Sequence, residues 1–193
     1  MITMLRFFTP SCSYIKIMYK DNGDEVVQGG RQMALRNIRR EGDPVLKKKT
    51  VSVTRFTPPL HRLLEDMRET MLAADGIGLA APQVGISKSI IVLRDEDKIL
   101  EVINPQITSS AGEITALEGC LSVPGIYGEV PRYADVEVSG QDRWGENVEY
   151  TASGLLARVF QHEIDHLRGI LFVERAVRIL SPEEVKELTN KTE

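Results

Sequence analysis

The chain has 193 residues, with 24 basic and 28 acidic side chains for a formal charge of −4, three His and two Cys. That length is ample for one core of ordinary size and tight for two, and a slightly acidic balance with no basic stripe excludes a DNA groove. No stretch reaches the ~18 apolar residues of a membrane-crossing helix, and two cysteines cannot supply a disulfide framework, so a reducing compartment is expected.

From the N-terminus, Met1 to Lys20 carries Arg6, Lys16 and Lys20, no acid and several hydroxyls, as an organellar presequence does. Its apolar residues are scattered, however, and Asp21, Asp24 and Glu25 soon follow. The reading adopted is that residues 1–32 are an N-terminal extension, disordered or lying ahead of the native start. Met33 then begins the protein, and the codons for Gly29-Gly30-Arg31 could include a purine-rich ribosome-binding sequence. Residues 33–193 are expected to form one catalytic domain. Lys47-Lys48-Lys49 reads as a solvated turn.

Pro58-Pro59 opens an amphipathic helix with Leu60, Leu63, Leu64, Met67 and Met71 at helical spacing, closed by Asp75-Gly76. Gly76-Ile77-Gly78 lacks the flanking pattern of a dinucleotide fold and reads as a turn whose small residues let main chain approach a ligand closely. Short β-branched runs predict strands at residues 89–93, 100–104, 134–138 and 147–150, the last two flanking Asp142-Arg143-Trp144-Gly145 as in a hairpin. Helix, strands, helix without βαβ alternation predicts an α+β fold. Antiparallel or mixed β-sheets pack around a central metal-binding helix, with an N-terminal and a C-terminal helix.

The central helix runs from Ser153, a plausible N-cap, to the stop at Gly169. Leu155, Val159, His162 and His166 share one stripe; Leu156, Phe160, Ile164 and Leu167 share another that anchors the helix in the core. Within it stands Gln161-His162-Glu163-Ile164-Asp165-His166. Imidazoles four residues apart project from one face and can share one metal ion, with Glu163 in reach of a water bound there. Arg158, one residue off the stripe, is expected to face solvent, with the edge of a pocket on that stripe as the alternative.

Two histidines leave such an ion short of a ligand, since a catalytic site of the zinc type takes three protein ligands and keeps a position for water. The spacing His-X-X-Gly-X-X-His matches at Gly169 but fails at Phe172. Glu184 or Glu187 could serve, as in peptidases with a glutamate third ligand. Those residues, however, lie in Ser181-Pro182-Glu183-Glu184, which has an N-cap Ser, a Pro at the first helical position and a Glu at the third, and so describes a capped terminal helix. The remaining candidate is Cys120, in Leu117-Glu118-Gly119-Cys120-Leu121-Ser122-Val123-Pro124-Gly125.

Three segments, Gly76 to Gln83 (Gly-Ile-Gly-Leu-Ala-Ala-Pro-Gln), Glu118 to Ser122 (Glu-Gly-Cys-Leu-Ser) and Gln161 to His166, resemble in order, spacing and wording the three signature motifs of peptide deformylases. The similarity covers roughly residues 34–173. The resemblance implies that Cys120, His162 and His166 bind one divalent metal ion per chain, Fe(II), with Zn(II), Ni(II) or Co(II) able to replace it. It implies that Glu163 is the general acid and base, that Gln83 and the Leu121 backbone N–H hold the oxyanion, and that Glu118 and Arg132 brace the cysteine segment. It implies too that Gly76 supports the turn and that the Ile77 and Gly78 backbone pairs with substrate as an added strand. Tyr127 falls where some relatives carry a substrate-contacting arginine, so a polar contact there is not carried over.

The activity so implied is removal of formate from the N-formylmethionine of nascent polypeptides. The small formyl group suits a cramped cavity, and an apolar slot near Ile77, Leu121, Leu155 and Val159 is expected to take the methionine side chain. The resemblance further implies a monomer in the bacterial cytoplasm with transient ribosome contact, the tail after Leu180 being a possible docking helix. An organellar location would follow only if residues 1–32 were a presequence. The alternatives are a metallopeptidase with a glutamate third ligand and an inactive member that keeps the fold for peptide or ribosome binding.

Overall fold

The computed structural model describes residues 35–190. The proposed extension and Met33 start lie outside the described residues. Helix α1 (Pro58–Ala73) opens on two prolines, and its apolar positions Leu60, Leu64, Met67 and Met71 are buried on one side. Eight strands follow in two antiparallel sheets, with α2 (Gly154–Leu167) between the seventh and the eighth and α3 (Pro182–Asn190) last.

The larger sheet has the order β1 (Gly78–Ala80), β2 (Ile90–Asp95), β3 (Lys98–Ala111), β6 (Asp135–Gln141), β7 (Asn147–Ser153). β2 shows how it is packed. Side chains alternate across a strand, and here Ile91 and Leu93 meet Phe160 and Ile164 of α2, while Ile90 and Val92 join the cluster built on Leu64 and Met67 of α1. Because both faces are covered, the run is apolar throughout rather than alternating. The smaller sheet has the order β4 (Ile114–Cys120), β5 (Val123–Arg132), β8 (Arg178–Ile179). Its core joins Cys120, Val123 and Val130 to Leu46, Leu171 and Phe172.

The four predicted strands are β2, β3, β6 and β7, and the hairpin at residues 142–145 joins the last two. The β4–β5 hairpin was not predicted. Its Pro124, Gly125, Gly128 and Pro131 break the β-branched pattern; β5 is the middle strand, but β8 pairs only with Gly128 and Glu129, so both prolines lie where β5 has a ladder partner on at most one side.

α2 begins at Ser153, whose side chain makes no capping hydrogen bond. It ends at Gly169, where φ is +78°. The segment after Lys47 crosses this end, and both the N–H and the hydroxyl of Thr50 donate to the Leu167 carbonyl. Every residue from Ala157 to Leu167 is buried, so the expectation of an exposed Arg158 fails: Arg158 is 5% exposed. The reason is that this turn of α2 faces the interior, close enough to Glu118 and Arg132 for Arg158 to feel their charges, rather than water.

A Cβ on Gly169 would lie 2.6 Å from the Lys47 carbonyl carbon. With left-handed backbone added to that overlap, Gly169→Ala should cost about 2 kcal/mol or more of unfolding free energy, read from urea denaturation. A loss below about 0.5 kcal/mol would mean that strap and helix end are not locked together.

Candidate metal centre

Cys120 ends β4 and is followed by the two-residue turn Leu121-Ser122; His162 and His166 stand one turn apart on α2. The Cys120 sulfur, one nitrogen of His162 and one of His166 all lie within 4.8 Å of one another and are buried. Cys120 Sγ is 3.2 Å from His166 Nε2. His162 turns its Nδ1 to Glu118 Oε2 at 2.9 Å, and its Nε2 has no protein partner although it is buried. A buried ring nitrogen without a partner carries a desolvation cost that needs an explanation. A cation shared with one thiolate and one further imidazole removes it, and two nitrogens and a sulfur form a donor set that zinc-like and iron-like ions accept.

Glu118 is placed by Arg132, whose Nε and Nη2 reach its two oxygens at 2.9 and 3.0 Å. Burial pushes the Glu118 carboxyl up, but hydrogen bonds and charges from His162 and Arg132 outweigh it and hold it at about 2. Glu118 thus accepts from Nδ1–H of His162 and leaves Nε2 as the nitrogen turned toward Cys120 and His166. Burial likewise raises the Cys120 thiol. The charge and hydrogen bond of His166, with the charge of His162, hold it well below the ordinary thiol range, as a thiolate ligand requires.

Glu163 is fully buried and neither carboxylate oxygen has a hydrogen-bond partner among the described residues. Burial pushes its carboxyl above the ordinary range, against the pull of the two imidazoles. Space for it comes from Gly78, where an added Cβ would sit 2.9 Å from the Glu163 carboxyl carbon. This requirement was not legible in the sequence, which suggested only that small residues admit a ligand. Gln83, also fully buried, accepts from Ala80 N–H at 2.8 Å through Oε1. Its Nε2 thus faces Cys120 Sγ at 3.6 Å and Ser122 Oγ at 3.3 Å, so an N–H donor is aimed into the site.

β1 is an edge strand. The Ile77 carbonyl accepts from Arg94 N–H at 2.8 Å across the β1–β2 pairing, and in an antiparallel ladder the next residue turns its polar groups the other way. The N–H and C=O of Gly78 therefore face the open edge. Gly76 is buried and packs on Met71 at the end of α1. Leu121 lines a cavity of about 360 Å³ together with Cys120. Ile77 packs half-buried on the cluster that contains Val159, whereas Leu155 is 40% exposed at the start of α2.

Two supporting residues escaped sequence reasoning. Asp165 accepts from both Arg132 and Arg175, extending the buried network beyond Glu118. Gln161 accepts from Tyr133 N–H at 3.0 Å and donates to its carbonyl at 2.9 Å, tying α2 to the chain after β5. The signal that could have found them is their spacing, four apart on α2, which puts both on one face beside that of the two histidines. Glu184 is committed elsewhere: it accepts from Ser181 N–H at 2.9 Å, receives Arg178, and its own N–H donates to Ser181 Oγ. This is the reciprocal cap of a terminal helix.

Removing Cys120 should therefore weaken Co(II) binding by 100-fold or more, on the order of the loss that site mutations produce, whereas Glu184→Ala should leave it within about threefold. Titration followed by the visible Co(II) spectrum reads both. The opposite ranking would move the third ligand to the C-terminal helix.

A sequence model of the polypeptide deformylase family matches residues 35–181. The peptide deformylase of Carboxydothermus hydrogenoformans is 51% identical over 148 residues, covering 77% of this chain and 97% of that protein. The crystal structure of peptide deformylase from Thermotoga maritima superposes with a TM-score of 0.73 at 45% identity, covering 74% of this chain and 98% of that one. A Met-Ala-Ser-bound crystal structure of the class I type b peptide deformylase from Acinetobacter baumannii gives 0.71 at 36% identity, covering 74% and 99%. With its fold, its buried cysteine–histidine cluster and these likenesses together, the chain belongs to the polypeptide deformylase family.

Proposed function

We propose that this protein is a metal-dependent hydrolase that releases formate from the N-terminal formylmethionine of nascent polypeptides. In this reading Cys120, His162 and His166 hold the ion. The observation that carries the reading is the buried, unpartnered Glu163 carboxylate beside a thiolate and an unpartnered imidazole nitrogen. A buried acid in that state has a task other than stability.

When bound, the ion supplies a Lewis acid that makes water a nucleophile near neutral pH. Glu163 takes the proton from the attacking water and, once the C–N bond of the formamide breaks, hands it to the departing amine, while the formyl carbon leaves as formate. A carboxyl raised by burial suits both halves of that exchange, because it accepts and returns a proton with little penalty. Gln83 Nε2 and the Leu121 backbone N–H donate to the oxygen that gains charge, each such donor being worth about 2.7 to 4 kcal/mol of barrier. Glu118, held by Arg132, keeps His162 from rotating. The free edge at Gly78 accepts the substrate main chain as an additional strand, with Ile77, Leu121, Leu155 and Val159 as the expected surroundings of the methionine side chain.

The resemblance supports Fe(II) as the ion, with Zn(II), Ni(II) or Co(II) as substitutes, since this donor set accepts all four. It also supports a monomer, with residues 33–193 as one catalytic domain, that meets the ribosome transiently in the bacterial cytoplasm. Among the described residues no helix is long and apolar enough to cross a membrane.

Anaerobically prepared protein should release formate from formyl-Met-Ala-Ser with at least one of Fe(II), Ni(II), Co(II) or Zn(II); release with none would end the assignment. Glu163→Gln should lower kcat by about 10²- to 10⁴-fold with metal content unchanged. Gly78→Ala, which pushes a methyl group into the Glu163 carboxylate, should lower kcat by about 10²-fold. Full activity in Gly78→Ala would show that the position of Glu163 is not limiting. The Fe(II) form should lose activity in air as metal or thiolate oxidises, and full retention after prolonged aeration would contradict iron as the working ion.

A further inference from the structure

The cavity that opens beside Cys120 is lined by Leu121, Ile126 and Tyr127 together with Ile38 and Arg40. Arg40 is the one charged side chain on that lining. Its place is set by main-chain bonds to the site itself. Arg39 N–H donates to the Gln83 carbonyl and Glu41 N–H to the Ser122 carbonyl, both at 2.7 Å. The segment between the two donors is thus strapped across the residues that flank Cys120. Ile38 and Arg40 line the cavity while Arg39 and Glu41 do not, as expected where successive side chains of an extended stretch alternate. Arg39 lies 3.7 Å from Asp43, but no ion pair or hydrogen bond engages the Arg40 side chain among the described residues. The rest of the lining is uncharged and includes Tyr127, which lies against Gly119, where a Cβ would come within 2.9 Å of its ring.

An exposed guanidinium with no partner among the described residues, on an anchored backbone and on the lining of a cavity that also reaches Cys120, suits a carboxylate. We propose that Arg40 forms a subsite that favours nascent chains carrying aspartate or glutamate one or two residues after the formylmethionine. This rests on the deformylase reading and adds to it a charge preference downstream of the reacting residue. Arg40 touches neither the formyl group nor the ion, so its effect belongs in KM more than in kcat.

The test uses peptide amides, which carry no terminal carboxylate: formyl-Met-Ala-Ser, formyl-Met-Asp-Ser, formyl-Met-Ala-Asp and formyl-Met-Ala-Lys. For the wild-type protein at low salt, at least one acidic peptide should exceed formyl-Met-Ala-Ser in kcat/KM by about 2- to 5-fold, the range of an exposed ion pair, with the lysine peptide below it. The advantage should shrink in high salt. Arg40→Ala should bring the acidic-to-neutral ratio to about one, and Arg40→Glu should invert it in favour of lysine, an outcome that loss of structure would not produce. Equal kcat/KM for all four peptides, or an acidic preference that survives Arg40→Ala, overturns the subsite while leaving the deformylase reading intact. Failure to hydrolyse any of the four would instead strike at that reading.

Discussion

The hydrogen bond between Glu118 and His162 Nδ1 joins the two halves of the molecule that matter, because Glu118 belongs to the same strand as Cys120 and His162 to the same helix as His166. It fixes which nitrogen of His162 points inward and brings the cysteine strand to the helix in a single register. Behind it, Arg132 holds Glu118 with two bonds and Asp165 with a third contact, and Arg175 closes the row from the partly exposed side. A row of buried charges is costly unless each is paired, and breaking one pair leaves its neighbour stranded. The site thus has little freedom to adopt a second arrangement.

The remaining architecture keeps that row in place and dry. α2 is buried along eleven consecutive residues and anchored in the core through Phe160, Ile164 and Leu167; hydrogen bonds further hold His162, Gln161 and Asp165, whereas the Glu163 carboxylate is held by packing alone. Gly78 and Gly119 do the converse work. One leaves room for a carboxylate and the other for an aromatic ring, and in both cases a methyl group would overlap its neighbour. Rigid placement of this kind is what a site needs when the reacting groups must be ready before the substrate arrives.

Much of this was legible in the sequence. The spacing of His162 and His166, the apolar stripe of α2, the proline-led start of α1 and the stop at Gly169 follow from periodicity and capping chemistry that any helix obeys. The cap of α3 by Ser181 and Glu184 was legible for the same reason, which is why Glu184 was set aside as a ligand. What joined Cys120 to the histidines was the resemblance, since the 41 residues between Cys120 and His162 leave no local signal of contact. The β4–β5 hairpin was missed because the glycines and prolines of β5 interrupt the β-branched pattern. Arg158 was misread because a single charged residue on a helix usually faces solvent, and only tertiary wrapping puts it inside. Asp165, Gln161 and Arg40 act through partners far away in sequence, which no window of neighbours reveals.

The account depends on a mixed sulfur and nitrogen environment at one cation. X-ray absorption of the zinc-loaded protein measures that environment without reference to catalysis. It should show one sulfur at about 2.3 Å and two imidazole nitrogens at about 2.0 to 2.1 Å. A shell of nitrogen and oxygen alone, with no sulfur scatterer, would contradict it.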